Sequence, residues 1–182
     1  MIICGIDEAG RGPLAGPLAV AGCILTKQVK GLNDSKKLTE KQRERLFEEI
    51  VSASKYHIAL FDAKEIDSNG LSSCIKSGLL QIKSALSADK YIFDGNSKFG
   101  VSEIETMIKA DTQVKEVMAA SILAKVTRDK IMMELDLLYP KYGFAAHKGY
   151  GTAAHIEAIG THGLSAAHRE SFKPKKLQAT LF

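Results

Sequence analysis

The amino-acid sequence predicts an α/β domain built on a mixed sheet and followed by a helical C-terminal part. Short apolar runs come early in the 182-residue chain, segments with helical spacing alternate with them, and helical patterns dominate after about residue 114. We expect residues 1–172 to form one domain, with a core that extends to about residue 140 and a helical part after it. Residues 173–182 are expected to form a polar tail.

The first two predicted strands are apolar runs joined by a short, glycine-containing link. Residues 1–6 form strand 1 and residues 18–26 form strand 2. Because the link is short, the sequence favours a hairpin, and therefore antiparallel pairing of the two strands. Residues 31–38 (GLNDSKKL) are polar and rich in turn-forming residues, so we expect a loop there.

The middle of the chain alternates helices and strands. Thr39 and Gln42 have the Thr-x-x-Gln spacing of a helix capping box, and an apolar face at helical spacing follows them. The long helix near the end of the core stops before Pro140, and Thr152 can cap a short final helix. After the capped helix, strands are predicted at residues 56–61, 91–93 and 103–108. Helices are predicted at residues 71–86 and 114–138, and a short helix from residue 152 to about 160–163.

Composition narrows the function classes only slightly. A formal net charge of +4 permits nucleic-acid binding without indicating it. The three cysteines form no CxxC pair, and Cys4 and Cys23 lie in apolar runs, so we expect reduced, buried thiols and a cytoplasmic location. No apolar run is long enough to cross a bilayer, no charged-then-apolar leader precedes strand 1, and nothing requires more than a monomer.

Four acidic residues lie where ligands commonly bind in an α/β sheet. Asp7 and Glu8 follow strand 1, Asp94 follows a short strand, and Asp111 precedes the long helix. Carboxylates that converge there repel one another unless divalent cations neutralise them, and such oxygen ligands suit Mg²⁺ or Mn²⁺. Two such ions can activate water for attack at phosphorus. In the alternative interpretation, each acid merely caps a helix or ends a strand.

The adjacent pair Asp7 and Glu8 carries a geometric condition. Neighbouring residues on a strand point to opposite faces of the sheet. Both side chains can therefore reach one site only if strand 1 ends or bends at the pair, which the glycines that follow permit.

The glycines after the acidic pair favour a phosphate- or sugar-binding turn. The spacing G-x-G-x-x-x-G, with Pro13 inside, misses the dinucleotide-binding fingerprint, and no GK[ST] follows. A turn in which Arg11 and the backbone amides of Gly10 and Gly12 hold a phosphate or a sugar fits better.

Two other sets of residues suggest only structural or surface roles. The histidines after residue 140 lack HExxH and CxxC spacing, so zinc binding is not favoured. Lys125, Arg128 and Lys130 on the long helix are expected to form a solvated face, with contact to nucleic acid as the alternative.

Several segments together resemble bacterial ribonuclease HII, the type 2 ribonuclease H family. They are GIDEAGRGPLAGP, NDSKKLT, FDGN, AASILAKVTRD and HKGYGT, and the resemblance extends to about Phe172. It implies a ribonuclease H-like fold with a five-stranded mixed sheet, flanking helices and a helical C-terminal extension. It also implies a divalent-metal-dependent endonuclease that cuts the RNA strand of RNA-DNA hybrids and cuts 5′ of single ribonucleotides in duplex DNA, leaving 3′-hydroxyl and 5′-phosphate ends. The alternative is a non-catalytic hybrid-binding module, which would be expected to lack at least one of the acids.

The resemblance also implies roles for individual residues. Four of them match the metal-site carboxylates of the family: Asp7, Glu8, Asp94 and Asp111. Five others match substrate-binding positions: Gly10, Arg11 and Gly12 in the turn that senses the 2′-hydroxyl and the junction phosphate, Lys36 near the phosphates, and Tyr150 against the next deoxyribose. The alternatives are a solvated surface charge for Lys36 and an exposed loop tyrosine for Tyr150.

The tail has a pattern of its own. Gln178, Leu181 and Phe182 form the Gln-x-x-Leu-Phe pattern of peptides that bind bacterial sliding clamps. The alternative is that these residues fold back on the domain.

Overall fold

Five strands form one mixed sheet in the order β3-β2-β1-β4-β5 in the computed structural model, which describes residues 1–173. Strand β1 pairs antiparallel with β2 and parallel with β4, so the predicted mixed sheet and the antiparallel first pair are confirmed. The strands are β1 Ile3–Ala9, β2 Leu18–Leu25, β3 Ser54–Phe61, β4 Lys90–Asp94 and β5 Ile104–Met107.

Helices flank the sheet and form the C-terminal part of the described chain. They are α1 Glu40–Ala53, α2 Ala63–Asn69, α3 Leu71–Ala85, α4 Lys115–Leu138, α5 Phe144–His147 and α6 Ala153–His162. The sequence did not predict α2 or α5. Helix α2 spans seven residues and buries only Ala63 and Ile66, and α5 is a single turn, so neither is long enough to show a helical period.

The predicted capping box at the start of α1 is present. Gln42 donates its backbone N–H to the Thr39 hydroxyl at 3.3 Å, and Thr39 donates its own N–H to the Gln42 side chain at 2.8 Å. These bonds satisfy two donors that a helix start would otherwise leave without partners.

Strand β2 is buried on both faces, and its side chains alternate between two cores. Leu18 and Val20 face one core, which contains apolar residues of α3. Ala19 and Ala21 face the other, which contains small residues of α4. Because these side chains are small, α4 lies close to the sheet. A third cluster, around Met132, joins the C-terminal helices to the end of α4.

Strand β1 differs from its prediction in one respect that matters for function. It does not end at Ile6 but continues to Ala9, because Glu8 and Ala9 pair with Val20 and Ala19 of β2. The two acids therefore lie on the strand rather than after it.

Two smaller predictions can also be compared with the structure. Cys4 and Cys23 are buried and form no disulfide, as predicted. Burial raises the pKa of each thiol to about 12, so both are expected to be unreactive. Among the described residues, no helix has the length and apolar character needed to span a membrane.

Candidate active site

Three carboxylates meet at the carboxyl end of the central strands. Ile6 pairs in register with Phe93 on parallel strands, so the next residues, Asp7 and Asp94, lie side by side. Asp111 belongs to a 3₁₀ turn before α4, and the N–H of Ala110 in that turn donates to Asp94 Oδ1 at 3.0 Å. Carboxylate oxygens of the three aspartates lie within 4.8 Å of one another. We call Asp7, Asp94 and Asp111 the aspartate trio.

Glu8 lies in the same cleft but outside the trio. Strand β1 stays extended through both acids, and neighbouring strand residues ordinarily point to opposite faces. Asp7 and Glu8 nevertheless both line the cleft, so the expectation that the strand must end or bend at the pair is wrong. Glu8 Oε1 accepts from Arg11 Nη1 at 3.3 Å. Glu8 Oε2 is buried and has no hydrogen-bond partner among residues 1–173. An unpartnered buried carboxylate oxygen is unfavourable, and a cation in the cleft would relieve this.

The environment of the trio disfavours its own negative charge. Burial raises the pKa of Asp7 well above its usual range, and the negative charges of Glu8 and Asp94 raise it further. Burial also raises the pKa of Glu8, against the opposing effect of Arg11. The pKa of Asp94 is raised by burial, lowered in part by the Ala110 N–H, and raised again by the charge of Asp111. The free protein therefore holds these carboxylates at an electrostatic cost.

The protein's own cations offset this charge only weakly. Lys36 Nζ lies 3.2 Å from Asp111 Oδ2, but the Lys36 side chain is 80% exposed, so solvent screens the pair. Burial alone would lower the pKa of Lys36, and its hydrogen bond and charge interaction with Asp111 raise it. An all-oxygen donor set with excess negative charge and an unpartnered buried oxygen fits a hard divalent cation such as Mg²⁺ or Mn²⁺.

One cleft of about 630 Å³ contains most of the predicted site residues. Asp111 is buried and does not line the cleft. Gly10 at its edge has φ of +97°, and a Cβ there would lie 2.5 Å from the Pro17 carbonyl oxygen and would overlap the Arg128 side chain, so the turn requires glycine. The predicted residues that line the cleft are Asp7, Glu8, Gly10, Arg11, Gly12, Lys36, Asp94 and Tyr150.

Two buried arginines behind this cleft were not predicted. Arg128 was expected on a solvated face, but it is 1% exposed. It does not pair with its neighbour Asp129, which pairs with Lys125 at 2.9 Å. A usable signal was present, because Arg128 falls on the four-residue spacing of the buried positions of α4, which are Ala120, Ala124, Arg128 and Met132. Arg169, also 1% exposed, had no such periodic signal.

A buried histidine pair supports the loop that carries Tyr150. His155 Nδ1 lies 2.9 Å from the Tyr150 carbonyl, which can only accept, so this nitrogen carries the proton. Its other nitrogen therefore accepts from His168 Nε2 at 3.0 Å, and His168 Nδ1 accepts from the Ser165 N–H at 2.9 Å. Each ring is a neutral tautomer determined by its partners.

Acidification is expected to destabilise the fold through this histidine pair. Burial, together with the repulsion from His155 when that ring is also protonated, lowers the pKa of His168 to about 4. As the pH falls, the unfolded chain therefore binds a proton at His168 before the folded protein does. The stabilisation that is present above about pH 6.5 is lost as the pH falls towards the pKa of His168 in the folded protein. The free energy of unfolding that this one group can remove is at most about 3 kcal/mol.

The measurement is the melting temperature between about pH 7 and about pH 5. His168→Gln removes the titrating ring, so its melting temperature should fall less over this range than that of the wild type. His162→Gln, at an exposed position, is the matched control and should show the wild-type decrease. A wild-type decrease in His168→Gln would show that the pair does not cause the pH dependence.

Comparison with known proteins places the chain in a family. A family model described as Ribonuclease HII matches residues 4–175. The chain belongs to the ribonuclease HII family. It is 56% identical over 181 residues to a ribonuclease HII of Sulfurovum sp. (strain NBC37-1), an alignment that covers 99% of this chain and 96% of that relative.

Solved structures with these family names have the same fold. In the PCNA:RNase HII complex from Archaeoglobus fulgidus, the similar chain has a TM-score of 0.78 at 26% identity, with 96% of both chains covered. The ribonuclease H2 from Pyrococcus horikoshii OT3 gives 0.78 at 27% identity, covering 98% of this chain and 96% of that one. The expected ribonuclease H-like fold is confirmed.

Membership of the ribonuclease HII family determines the general activity. The chain is a ribonuclease H, an endoribonuclease of the hydrolase class, and the family and fold support action on RNA-DNA hybrids. Ribonuclease H enzymes depend on divalent metal ions, which agrees with the aspartate trio. The alternative of a non-catalytic binding module is not supported by these findings. Such a module would be expected to lack at least one of the four acids, and all four are present.

Proposed function

We propose that this enzyme cuts 5′ of single ribonucleotides embedded in duplex DNA, as well as the RNA strand of hybrids, and leaves 3′-hydroxyl and 5′-phosphate ends. Its cellular role would be ribonucleotide and primer removal in DNA replication and repair, in the cytoplasm and as a monomer. The observation that supports this best is a cleft lined by Asp7, Glu8 and Asp94 together with the Gly10–Gly12 turn and Tyr150.

The acids would hold the metal in this proposal. Asp7 and Asp94 would be the core ligands, and Asp111 and Glu8 would complete the set. Two ions of Mn²⁺ or Mg²⁺, when bound, would supply activation of the attacking water and stabilisation of the departing 3′ oxygen. The Ala110 N–H bond to Asp94 keeps one carboxylate oxygen oriented, and the backbone N–H of Glu8 does the same for Asp7 at 2.8 Å.

The turn and its neighbours would choose the sugar. The 2′-hydroxyl is the group that distinguishes RNA from DNA at one nucleotide, so a recognition element must approach the ribose closely. Gly12 has no atoms within 4 Å of a hypothetical Cβ, which leaves open space for such an approach. Arg11 and Lys36 are exposed cations suited to phosphates, and Tyr150, 44% exposed, is available to contact the next deoxyribose.

The direct test is cleavage of a DNA duplex that carries one ribonucleotide, with Mg²⁺ or Mn²⁺ supplied. The matched substrate is the same duplex with deoxyribose at that position. The proposal expects one cut, 5′ of the ribonucleotide, and none in the control. Cleavage of long hybrids without any cut at a single ribonucleotide would contradict the proposed specificity and leave the family activity intact.

Replacement of Arg11 by alanine should impair substrate selection before it impairs metal binding. The guanidinium is half exposed and pairs with Glu8, so its removal takes a positive charge out of the cleft and should not weaken cation binding. We expect KM for the single-ribonucleotide duplex to rise about tenfold, which corresponds to loss of one charged contact.

Steady-state kinetics and Mn²⁺ titration calorimetry measure the two effects separately. Arg45→Ala, at an exposed position of α1 outside the cleft, is the control and should change neither. If Arg11→Ala abolished Mn²⁺ binding while substrate affinity stayed intact, the division of roles between Arg11 and the acids would be wrong.

A sliding clamp is the proposed protein partner, bound through residues 173–182. The predicted contact residues, Gln178, Leu181 and Phe182, lie outside the described residues. Support comes from the Gln-x-x-Leu-Phe pattern and from the archaeal neighbour, which was solved as a complex with PCNA. A purified bacterial clamp should retain the full-length chain but not a chain that lacks residues 178–182. Equal retention of the two chains would rule the contact out.

A further inference from the structure

Two buried arginines lie beneath the turn that is proposed to recognise the ribonucleotide. Arg128 comes from α4 and Arg169 from the segment after α6, and each is 1% exposed. Neither forms a salt bridge within residues 1–173. Buried charges without a carboxylate partner are rare, so their hydrogen bonds must explain why they are retained.

Arg169 binds the backbone of the turn at several points. Its Nη2 donates to the Gly10 carbonyl at 2.6 Å and to the Gly16 carbonyl at 2.9 Å, and its Nη1 donates to the Arg11 carbonyl at 3.2 Å. Its Nε also donates to Gly16, at 3.0 Å, and its backbone N–H donates to Leu14 at 2.8 Å. The planar guanidinium thus joins both ends of the turn, which lysine cannot reproduce.

Arg128 extends the same support to Tyr150, which also lines the cleft. Its Nε donates to the Pro17 carbonyl at 2.9 Å and its Nη2 to the Ala15 carbonyl at 3.0 Å. Its guanidinium carbon lies 5.6 Å from the centre of the Tyr150 ring, within the range of a cation–π contact. The two arginines therefore link the turn to Tyr150 through one continuous set of contacts.

The arrangement is held at an electrostatic cost. Burial, followed by the charge of Arg128, lowers the pKa of Arg169 to about 10. Burial also lowers the pKa of Arg128, and its Nη1 is buried with no hydrogen-bond partner in the described chain. An apolar pair of similar volume would avoid this cost, so stability alone does not account for two adjacent buried cations.

We propose that Arg169 is a positioning residue for ribonucleotide recognition, with Arg128 as its companion. Arg169 keeps the backbone of residues 10–16 in the conformation that meets the ribose, and Arg128 keeps Tyr150 in register with it. This inference rests on the proposed function of the turn. It adds to that function the residues that make the turn rigid before substrate binds.

Selectivity for the ribonucleotide is the first readout. Affinity for a single-ribonucleotide duplex and for the all-DNA duplex is measured by fluorescence anisotropy in Ca²⁺, to suppress cleavage. For Arg169→Gln and Arg169→Lys, we expect the ratio of the two dissociation constants to fall about tenfold from the wild-type value, because the turn is no longer fixed. Arg169→Lys keeps the charge and serves if Arg169→Gln does not fold.

Amide hydrogen exchange of the free protein is the second readout. Exchange of residues 10–16 should accelerate in the Arg169 variants while Mn²⁺ affinity stays at the wild-type value. Leu79→Ala, in the core on the other side of the sheet, is the stability control. It should lower the melting temperature and change neither the selectivity ratio nor exchange in the turn.

Each outcome supports or overturns the inference. Unchanged exchange in residues 10–16 would overturn it, as would an equal loss of selectivity in Leu79→Ala. If the wild type does not distinguish the two duplexes, the proposed recognition by the turn fails. In that case faster exchange in the Arg169 variants would still show that Arg169 positions the turn.

Discussion

Asp94→Asn should reduce cleavage of RNA-containing duplexes by about 10³-fold or more while leaving the fold intact. Asparagine keeps the shape of the side chain but loses the charge, and its amide nitrogen cannot act as a ligand to a divalent cation. Asp94 is the member of the trio that joins β4 to the Asp111 turn, through the Ala110 N–H. Its substitution therefore removes a ligand from the middle of the proposed metal site.

Thermal stability should move in the opposite direction in metal-free protein. Burial and the charge of Asp111 raise the pKa of Asp94, so the ionised carboxylate is held at a cost in the folded state. Neutralising it should give an equal or higher melting temperature in the presence of a chelator. Added Mn²⁺ should raise the melting temperature of the wild type more than that of Asp94→Asn, because only the wild type has the complete set of proposed ligands.

Glu105→Gln is the matched control for the loss of one carboxylate. Glu105 pairs with Lys90 on the surface and is 65% exposed, away from the cleft. It should retain wild-type cleavage and the wild-type response to Mn²⁺. Equal cleavage by the wild type and Asp94→Asn would remove Asp94 from the mechanism, and an equal response to Mn²⁺ would remove it from the metal site.

The positions of the site elements could be predicted because they depend on local patterns. Apolar runs that end in Asp7 and Asp94 place both acids at the carboxyl edge of the sheet, and the register of β1 with β4 sets them side by side. The separation of Glu8 from the trio could not be predicted in this way. It depends on how far β2 continues to pair with β1, which is a tertiary property.

Local sequence patterns are not sufficient to predict the positions of the two buried arginines. Arg169 donates to the carbonyl of Gly16, which is 153 positions away in sequence. No periodicity near Arg169 encodes the presence of these carbonyls, and arginine is ordinarily a surface residue. The burial of Arg128 could have been predicted from its helical spacing. That prediction requires giving the apolar periodicity of α4 more weight than the charge of the arginine.

Gly5→Ala should destabilise the fold by about 3 kcal/mol or more, because β1 and α4 are in backbone contact at this residue. A Cβ at Gly5 would lie 2.6 Å from the Glu116 carbonyl oxygen and would overlap the backbone at Glu116 and Val117. These backbone atoms cannot change rotamer, so the strand and the helix must separate. For a chain of this size, we expect the melting temperature to fall by roughly 10 °C.

Gly160→Ala is the same chemical change without the clash. Gly160 lies in α6, and a Cβ there would meet no atom within 4 Å. Alanine in a helix is favoured over glycine by about 1 kcal/mol, so this variant should melt slightly above the wild type. Thermal denaturation of the two variants side by side measures the contact, and a wild-type melting temperature for Gly5→Ala would show that α4 does not lie this close to β1.

The contact at Gly5 also sets the geometry of the proposed metal site. Asp7 lies two positions after Gly5 on β1. The part of α4 that touches Gly5 begins a few residues after Asp111. Separation of strand and helix should therefore increase the distance between two members of the trio. At a temperature where Gly5→Ala is still folded, we expect weaker Mn²⁺ binding and slower cleavage, whereas Gly160→Ala should match the wild type in both. Wild-type Mn²⁺ affinity in folded Gly5→Ala would show that the spacing of Asp7 and Asp111 does not depend on this contact.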